Sequence, residues 1–121
     1  MTENIHPQQP LTPAVFHILM ALADGEKHGY SIMKDVEYQT EGRLRLGPGT
    51  LYGSIKRMLQ AGLIEESGER PDPAIDDERR RYYRASGLGR KILAAESRRL
   101  EQAVETARRR QVLICRQGET P

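Results

Sequence analysis

Gly47-Pro48-Gly49-Thr50-Leu51-Tyr52-Gly53-Ser54-Ile55-Lys56-Arg57-Met58-Leu59-Gln60-Ala61-Gly62 is the stretch of this 121-residue chain whose reading decides the fold. Pro48 sits where a helix begins, a position at which its missing N–H is not needed and its fixed φ is already helical. Gly62 stands where a left-handed residue ends a helix. Between them Leu51, Ile55, Met58 and Leu59 recur at i, i+4, i+7 and i+8, which defines one inward stripe. The opposite face carries Gly49, Tyr52, Gly53 and Lys56, flanked by Thr50, Ser54 and Arg57. That face is small near its start and cationic further on, so the start of the helix can come close to a polyanion.

Upstream, Leu11-Thr12-Pro13 reads as another helix start, with Thr12 as N-cap and Pro13 at the first helical position. Ala14 to Ala23 is apolar nearly all round, with His17 the one polar interruption. Such a helix needs burial on every side. A domain this small does not supply that alone, so a partner surface is expected. Asp24-Gly25-Glu26-Lys27 reads as a turn. His28-Gly29-Tyr30 opens a second helix to about Thr40, with Tyr30, Ile32, Met33 and Val36 inward and Gly42 as its left-handed cap. Arg43-Leu44-Arg45-Leu46 is short and mixed in character, compatible with a brief extended pairing.

Downstream, Leu63-Ile64-Glu65-Glu66-Ser67 and Arg80-Arg81-Tyr82-Tyr83-Arg84-Ala85 read as two strands. Their connection, Gly68 to Arg79, contains Pro71 and Pro73 and is too long for a tight hairpin turn. Two strands after a third helix, joined by a loop, describe a wing. Ser86 is placed to cap a last helix from about Gly87 to Leu113, about 40 Å long at the helical rise. In it Leu93, Leu100, Ala107 and Ile114 are spaced by seven, with Leu88, Ile92 and Val104 thickening the stripe. A seam of this kind packs against another chain.

With 37% hydrophobic and 30% charged residues, the composition suits one small, mainly α (α+β) domain with a modest core. The net charge of +2 selects no partner, but its distribution is uneven. Residues 65–78 hold seven acids against Arg70 alone, and Arg79, Arg80, Arg81 and Arg84 follow without an acid among them. No apolar run approaches the roughly 18–20 residues of a membrane span, and no signal-peptide pattern opens the chain, so a cytoplasmic location is expected. The single Cys115 cannot form an internal disulfide or a zinc pair. His6, His17 and His28 fall in a tail, an apolar helix and a turn, without metal-ligand spacing. Gly47-Pro48-Gly49 lacks the spacing and preceding strand of a nucleotide loop, and no nucleophile stands in a recognisable turn. Neither cofactor, metal nor enzymatic activity is expected.

DNA binding is the chemistry these residues support better. In a helix-turn-helix the second helix of the pair enters the major groove while the first crosses the backbone. Here the pair is the helix from Gly29 and the helix from Pro48. Tyr52 and Lys56 share a face, with Arg57 beside them, and the amides of Gly49 and Thr50 at the helix start suit a phosphate. Lys56 and Arg57 can meet guanine edges or phosphates, and the residues do not choose between these. The bland alternatives stay open: a solvated charged face with Tyr52 as a packing residue, and arginines that merely neutralise the acidic segment before them.

Taken in order, Leu11-Thr12-Pro13, His28-Gly29-Tyr30, Gly47-Pro48-Gly49-Thr50-Leu51-Tyr52, Gly62-Leu63-Ile64, and Arg81-Tyr82-Tyr83-Arg84 with Gly87-Leu88-Gly89-Arg90 resemble the PadR family of bacterial transcriptional regulators. The match runs from about Leu11 to Leu100. The resemblance implies a winged helix-turn-helix whose long C-terminal helix makes a homodimer, usually a repressor at promoter palindromes, in the short form with one terminal helix. Carried over by position, Thr50, Tyr52, Lys56 and Arg57 fall on the recognition helix, Tyr30 on the supporting helix near the DNA backbone, and Arg79 to Arg81 on the wing. Gly47 stands where serine is a common cap in the family, and Gly53 where many members have proline.

The expected organisation is a tail (1–10), a winged helix-turn-helix (11–86), a dimerisation helix (87–114) and a second tail (115–121). The expected DNA-binding residues are Tyr30, Gly49, Thr50, Tyr52, Ser54, Lys56, Arg57, Arg79, Arg80 and Arg81. Val15, Leu19, Leu93, Leu100, Val104 and Ala107 are the expected dimer contacts. The expected partners are double-stranded DNA, a second copy of the chain and a small-molecule effector whose identity the residues do not give. Two rival readings are a protein-interaction module on the same fold, which acids on the recognition face would favour, and a small-molecule binder or enzyme, which convergent polar groups in the last helix would favour.

Overall fold

The computed structural model describes residues 10–69 and 81–114. Four helices and three strands lie among them, in the order α1 (Pro13–Ala21), β1 (Lys27–His28), α2 (Gly29–Gln39), α3 (Pro48–Gln60), β2 (Ile64–Glu69), β3 (Arg81–Ala85) and α4 (Gly87–Arg109). This is the expected α+β winged arrangement. Arg79 and Arg80, residues 1–9 and 115–121 of the two tails and most of the acidic segment fall outside the described residues.

Local chemistry explains the helix starts. The Thr12 hydroxyl accepts the Val15 N–H at 3.2 Å with Pro13 at the first helical position. Ser86 caps α4 in the same way, accepting the Gly89 N–H at 3.0 Å. The apolar circumference of α1 is not enclosed all round: Ile18, Leu19 and Leu22 are fully buried, but Phe16, His17 and Met20 are half-buried.

Three helices end through one pair of hydrogen bonds, in which the two residues after the cap reach back to the last turn. At α3 the residue with positive φ is Gly62 (78°), and the N–H groups of Gly62 and Leu63 reach Leu59 and Met58 at 3.1 and 2.9 Å. At α2 the expected Gly42 is left-handed (φ 80°), and Glu41 before it is as well (φ 54°), so the closing position falls one residue earlier. At α4 it falls on Gln111 (φ 63°), and the Val112 N–H bonds the Ala107 carbonyl at 2.9 Å. The last helix therefore stops at Arg109 rather than Leu113, and its 23 residues span about 35 Å.

Two further expectations change. Residues 43–46 form no strand; the Thr40 hydroxyl accepts the Leu44 N–H at 3.0 Å, and buried Leu46 holds the loop down. Lys27 and His28, read as turn and helix start, instead form β1. The sheet order is β1-β3-β2, all antiparallel, with His28 opposite Tyr82 and Ile64 opposite Ala85. A bulge between Glu66 and Gly68 interrupts the β2–β3 pairing, and the Ser67 hydroxyl donates to the Glu26 carboxylate at 2.6 Å.

The four helices and the strands β2 and β3 contribute to one core, from Leu19 of α1 through Val36, Met58, Ile64 and Tyr83 to Ile92 of α4. The first turns of α4 belong to it. A Cβ on Gly89 would overlap the Leu63 carbonyl oxygen and lie 3.2 Å from Leu19 Cδ2, so glycine is what lets α4 dock this closely. Beyond that contact α4 runs antiparallel to α1. Arg90 donates to the Ala23 carbonyl at one end (3.3 Å), and Glu96 accepts the Leu11 N–H at the other (3.4 Å).

Candidate nucleic-acid interface

The helix α3 presents an exposed start. Gly47, its N-cap, offers no side-chain hydrogen bond, and residues 47–50 are all exposed. The sequence of α3 contains no acid, so nothing along it offsets the positive end of the helix dipole. The buried stripe is Leu51, Ser54, Ile55 and Met58. Gly49, Thr50, Lys56 and Arg57 are exposed on the other side, and Gly53 is half-buried. Among the described residues Lys56 has no carboxylate partner.

Two residues expected on that face turn away from it. Ser54 is 1% exposed and belongs to the core stripe, so it presents nothing to a ligand. Its hydroxyl accepts a hydrogen bond from Arg57 Nη2 at 3.3 Å, and the same guanidinium lies 3.7 Å from where a Cβ of Gly53 would be. Ser54 thus orients Arg57 back along the helix, across the glycine that leaves room for it. Tyr52 is half-buried in the seam between α2 and α3, its ring occupying the place where a Cβ of Gly29 would project. A face assignment from 100° steps misplaces residues at its edges, because the neighbouring helix decides which edge is covered.

Tyr30 lies one residue inside the start of α2 and is 48% exposed rather than inward, with the Lys34 ammonium 5.7 Å from its ring centroid. On the sheet, Arg81 and Arg84 are exposed but engaged: Arg81 pairs with Glu66 at 3.5 Å and Arg84 with Glu65 at 3.0 Å. Exposed pairs of this kind are worth at most about 1 kcal/mol, so a phosphate can compete for either arginine. Arg79 and Arg80 lie outside the described residues.

The residues expected at a dimer seam divide into two sets. Val15, Leu19 and Leu93 are buried within the single chain, Leu19 completely, and serve its own core. Leu100 and Val104 are exposed on the outer half of α4 (38% and 43%), and Ala107 is half-buried. The seam also contains a group that sequence reasoning missed. Glu96, three residues after Leu93 and four before Leu100, is 7% exposed and takes a two-pronged hydrogen bond from Arg99 at 2.9 and 2.7 Å. The Arg99 hydrogen bond holds the Glu96 carboxyl below its usual range, against the opposing effect of burial. Its spacing in the apolar seam was the available signal. Among the described residues, no three His, Cys, Asp or Glu side chains gather closely enough to hold a metal ion, and no helix is long and apolar enough to cross a membrane.

The family model of PadR-like transcriptional regulators matches residues 18–95. The chain belongs to the PadR-like family. It is a transcriptional regulator, and its chemistry is DNA binding rather than catalysis. A transcriptional regulator of Mycobacterium tuberculosis, Rv3488, is 36% identical over 86 residues, which cover 71% of this chain and 74% of that protein. An uncharacterised 37.1 kDa protein of a Streptomyces fradiae transposon is 38% identical over 80 residues, 66% of this chain, and the match spans only 21% of that protein's length. A PadR family regulator of Clostridium difficile shares the fold with a TM-score of 0.65 at 21% identity, over 81% of this chain and 97% of that one.

Proposed function

We propose that this PadR-like regulator is a homodimeric repressor that acts in the cytoplasm on a palindromic promoter site. The observation that carries the reading is α3: an exposed start without a side-chain cap, followed by exposed Lys56 and Arg57 on a helix without acids. Gly49, Thr50, Lys56 and Arg57 enter the major groove, Tyr30 meets the backbone, and the wing arginines contact flanking phosphates. Residues 11–86 form the DNA-binding unit, and the segment 87–114, with its helix Gly87–Arg109, supplies the dimer contact through Leu100, Val104 and Ala107. Two-fold symmetry then sets half-sites about one helical turn apart, roughly 34–36 Å. A dimer covering a promoter excludes polymerase, and a small-molecule effector that alters the angle between the two heads releases it.

The test is a mobility-shift titration on duplexes that the chain selects from a random pool. The Lys56→Ala, Arg57→Ala double variant should weaken binding while keeping the helical circular dichroism signal. Each lost phosphate contact lowers the salt dependence of log K by about 0.9. Unchanged affinity and unchanged salt slope would remove α3 from the interface.

A further inference from the structure

Three residues of α2 are exposed, Tyr30, Lys34 and Tyr38, and they fall at i, i+4 and i+8, in one line along the helix surface. Tyr30 is 48% exposed and Tyr38 83%, so neither ring is spent on the core. Beside this line runs a shallow groove of about 340 Å³, lined by Lys27, Tyr30, Ser31, Lys34, Asp35 and Tyr38.

Lys34 is the cation of the line. A helical side chain leans toward the start of its helix and covers the turn before its own. Lys34 does so, and its ammonium lies 5.7 Å from the Tyr30 ring centroid. The charge is thereby carried toward the start of α2, where Tyr52 of α3 packs against Gly29, the chain neighbour of Tyr30. The ring face attracts the ammonium electrostatically, and the three N–H donors of that ammonium have no carboxylate partner among the described residues.

The charges around it are differently placed. Lys27 donates to Asp24 at 2.6 Å and to the Ala21 carbonyl at 2.7 Å. Glu37 pairs with Arg45 at 3.2 Å. The Asp35 carboxylate accepts the Gln39 side-chain amide at 2.9 Å, and the same amide nitrogen donates to the His17 carbonyl at 3.0 Å, which ties Asp35 toward α1. Asp35 remains an acid of the groove, so an anion is held at the Tyr30–Lys34 end.

We propose that Lys34 contacts DNA, donating to a backbone phosphate from an ammonium held over the Tyr30 ring. The inference rests on the reading of α3 as the helix in the major groove. The first helix of a helix-turn-helix pair crosses the backbone while the second enters the groove. A phosphate then lies at the start of α2, beside α3, and Lys34 leans toward that place. Tyr38 stands about 12 Å further along the axis than Tyr30 and takes no part. A phosphate contact fixes register and carries no base preference.

The experiment titrates the wild-type chain, Lys34→Ala, Tyr38→Ala and Lys91→Ala on a duplex selected by the wild type and on a duplex of scrambled order, at several salt concentrations. Circular dichroism checks that each chain is folded. Lys91 is an exposed cation of α4 and controls for the loss of one charge. Lys34→Ala should reduce the salt dependence of log K by about 0.9 for each protomer bound, which at about 0.1 M salt is about eightfold in affinity per protomer. The loss should be equal on the two duplexes, while Tyr38→Ala and Lys91→Ala keep the wild-type slope and affinity. An unchanged slope in Lys34→Ala overturns the proposal, as does a loss confined to the selected duplex or an equal loss in Lys91→Ala. A matching loss in Tyr38→Ala overturns it as well, because the whole line would then be the contact. If Lys56→Ala, Arg57→Ala weakens binding and Lys34→Ala does not, the reading of α3 stands and this inference alone falls. A wild type that selects no duplex refutes the reading of α3, and the inference falls with it.

Discussion

Replacing Gly89 with alanine tests whether the docking of α4 is set by backbone contact rather than by helix preference. In an isolated helix the change is favourable by about 0.5–1 kcal/mol, because glycine has the greater conformational freedom to lose. Here the new Cβ overlaps the Leu63 carbonyl oxygen, with the carbonyl carbon at 3.0 Å and Leu19 Cδ2 at 3.2 Å. Leu19 Cδ2 can yield by a rotamer shift, but the carbonyl is backbone and is also the acceptor of the Ser86 N–H at 3.0 Å. Overpacking a well-filled site costs about 1–3 kcal/mol, and the immovable partner places this one at the upper end. Weakening the Ser86 hydrogen bond adds about 1 kcal/mol. The balance is a loss of about 3 kcal/mol, which lowers the Tm by about 12 °C for a domain of this size. Thermal unfolding followed by circular dichroism at one protein concentration measures it. Gly87→Ala is the control, since a Cβ there has nothing within 4 Å, and its Tm should stay near that of the parent. A Gly89→Ala protein as stable as the parent would show that α4 can be displaced from Leu63 freely, and the rigid-docking argument would be wrong.

Two other outcomes follow from α4. Because the folded-state pKa of Glu96 is lowered by Arg99, its contribution to stability is present above the unfolded glutamate value and is lost as pH falls through the folded one. The urea midpoint of the parent should therefore drop more between about pH 6 and pH 3 than that of Glu96→Gln, the two converging in acid; parallel curves would remove the pair from the stability balance. Leu100→Glu combined with Val104→Glu places charges on the exposed seam while leaving Ile92 and Leu93 in the core. Sedimentation should show monomers of undiminished helicity at micromolar concentration, and a persistent dimer would move the interface elsewhere.

In the proposed homodimer, with a DNA-binding head and a dimerisation arm in each chain, the way the arm is held matters. Gly89, Arg90 and Glu96 fasten the first half of α4 along α1 from end to end, so the head and this half of the arm move as one body. The change of angle between two heads proposed above then has to arise in the outer half, from Leu100 onward, where Leu100 and Val104 are exposed.

Sequence alone determined the features whose causes are local. Thr12-Pro13, Ser86 and Gly62 mark helix ends because the hydrogen bonds concerned span only three to five residues. The apolar spacing of Leu51, Ile55 and Met58 marks the buried side of α3 because the period of a helix does not depend on its surroundings. The two wing strands were legible for the same reason. Tertiary structure decided what depends on residues far along the chain. A two-residue strand such as β1 is too short to carry an alternating pattern, and it exists because β3 pairs with it. Tyr52 and Ser54 lie near the edges of the α3 face, and the packing around them, with Gly29 against Tyr52, sends them off it. Glu96 is buried because Leu11 and Arg99 supply its donors, and only folding brings Leu11, 85 residues distant, to that carboxylate.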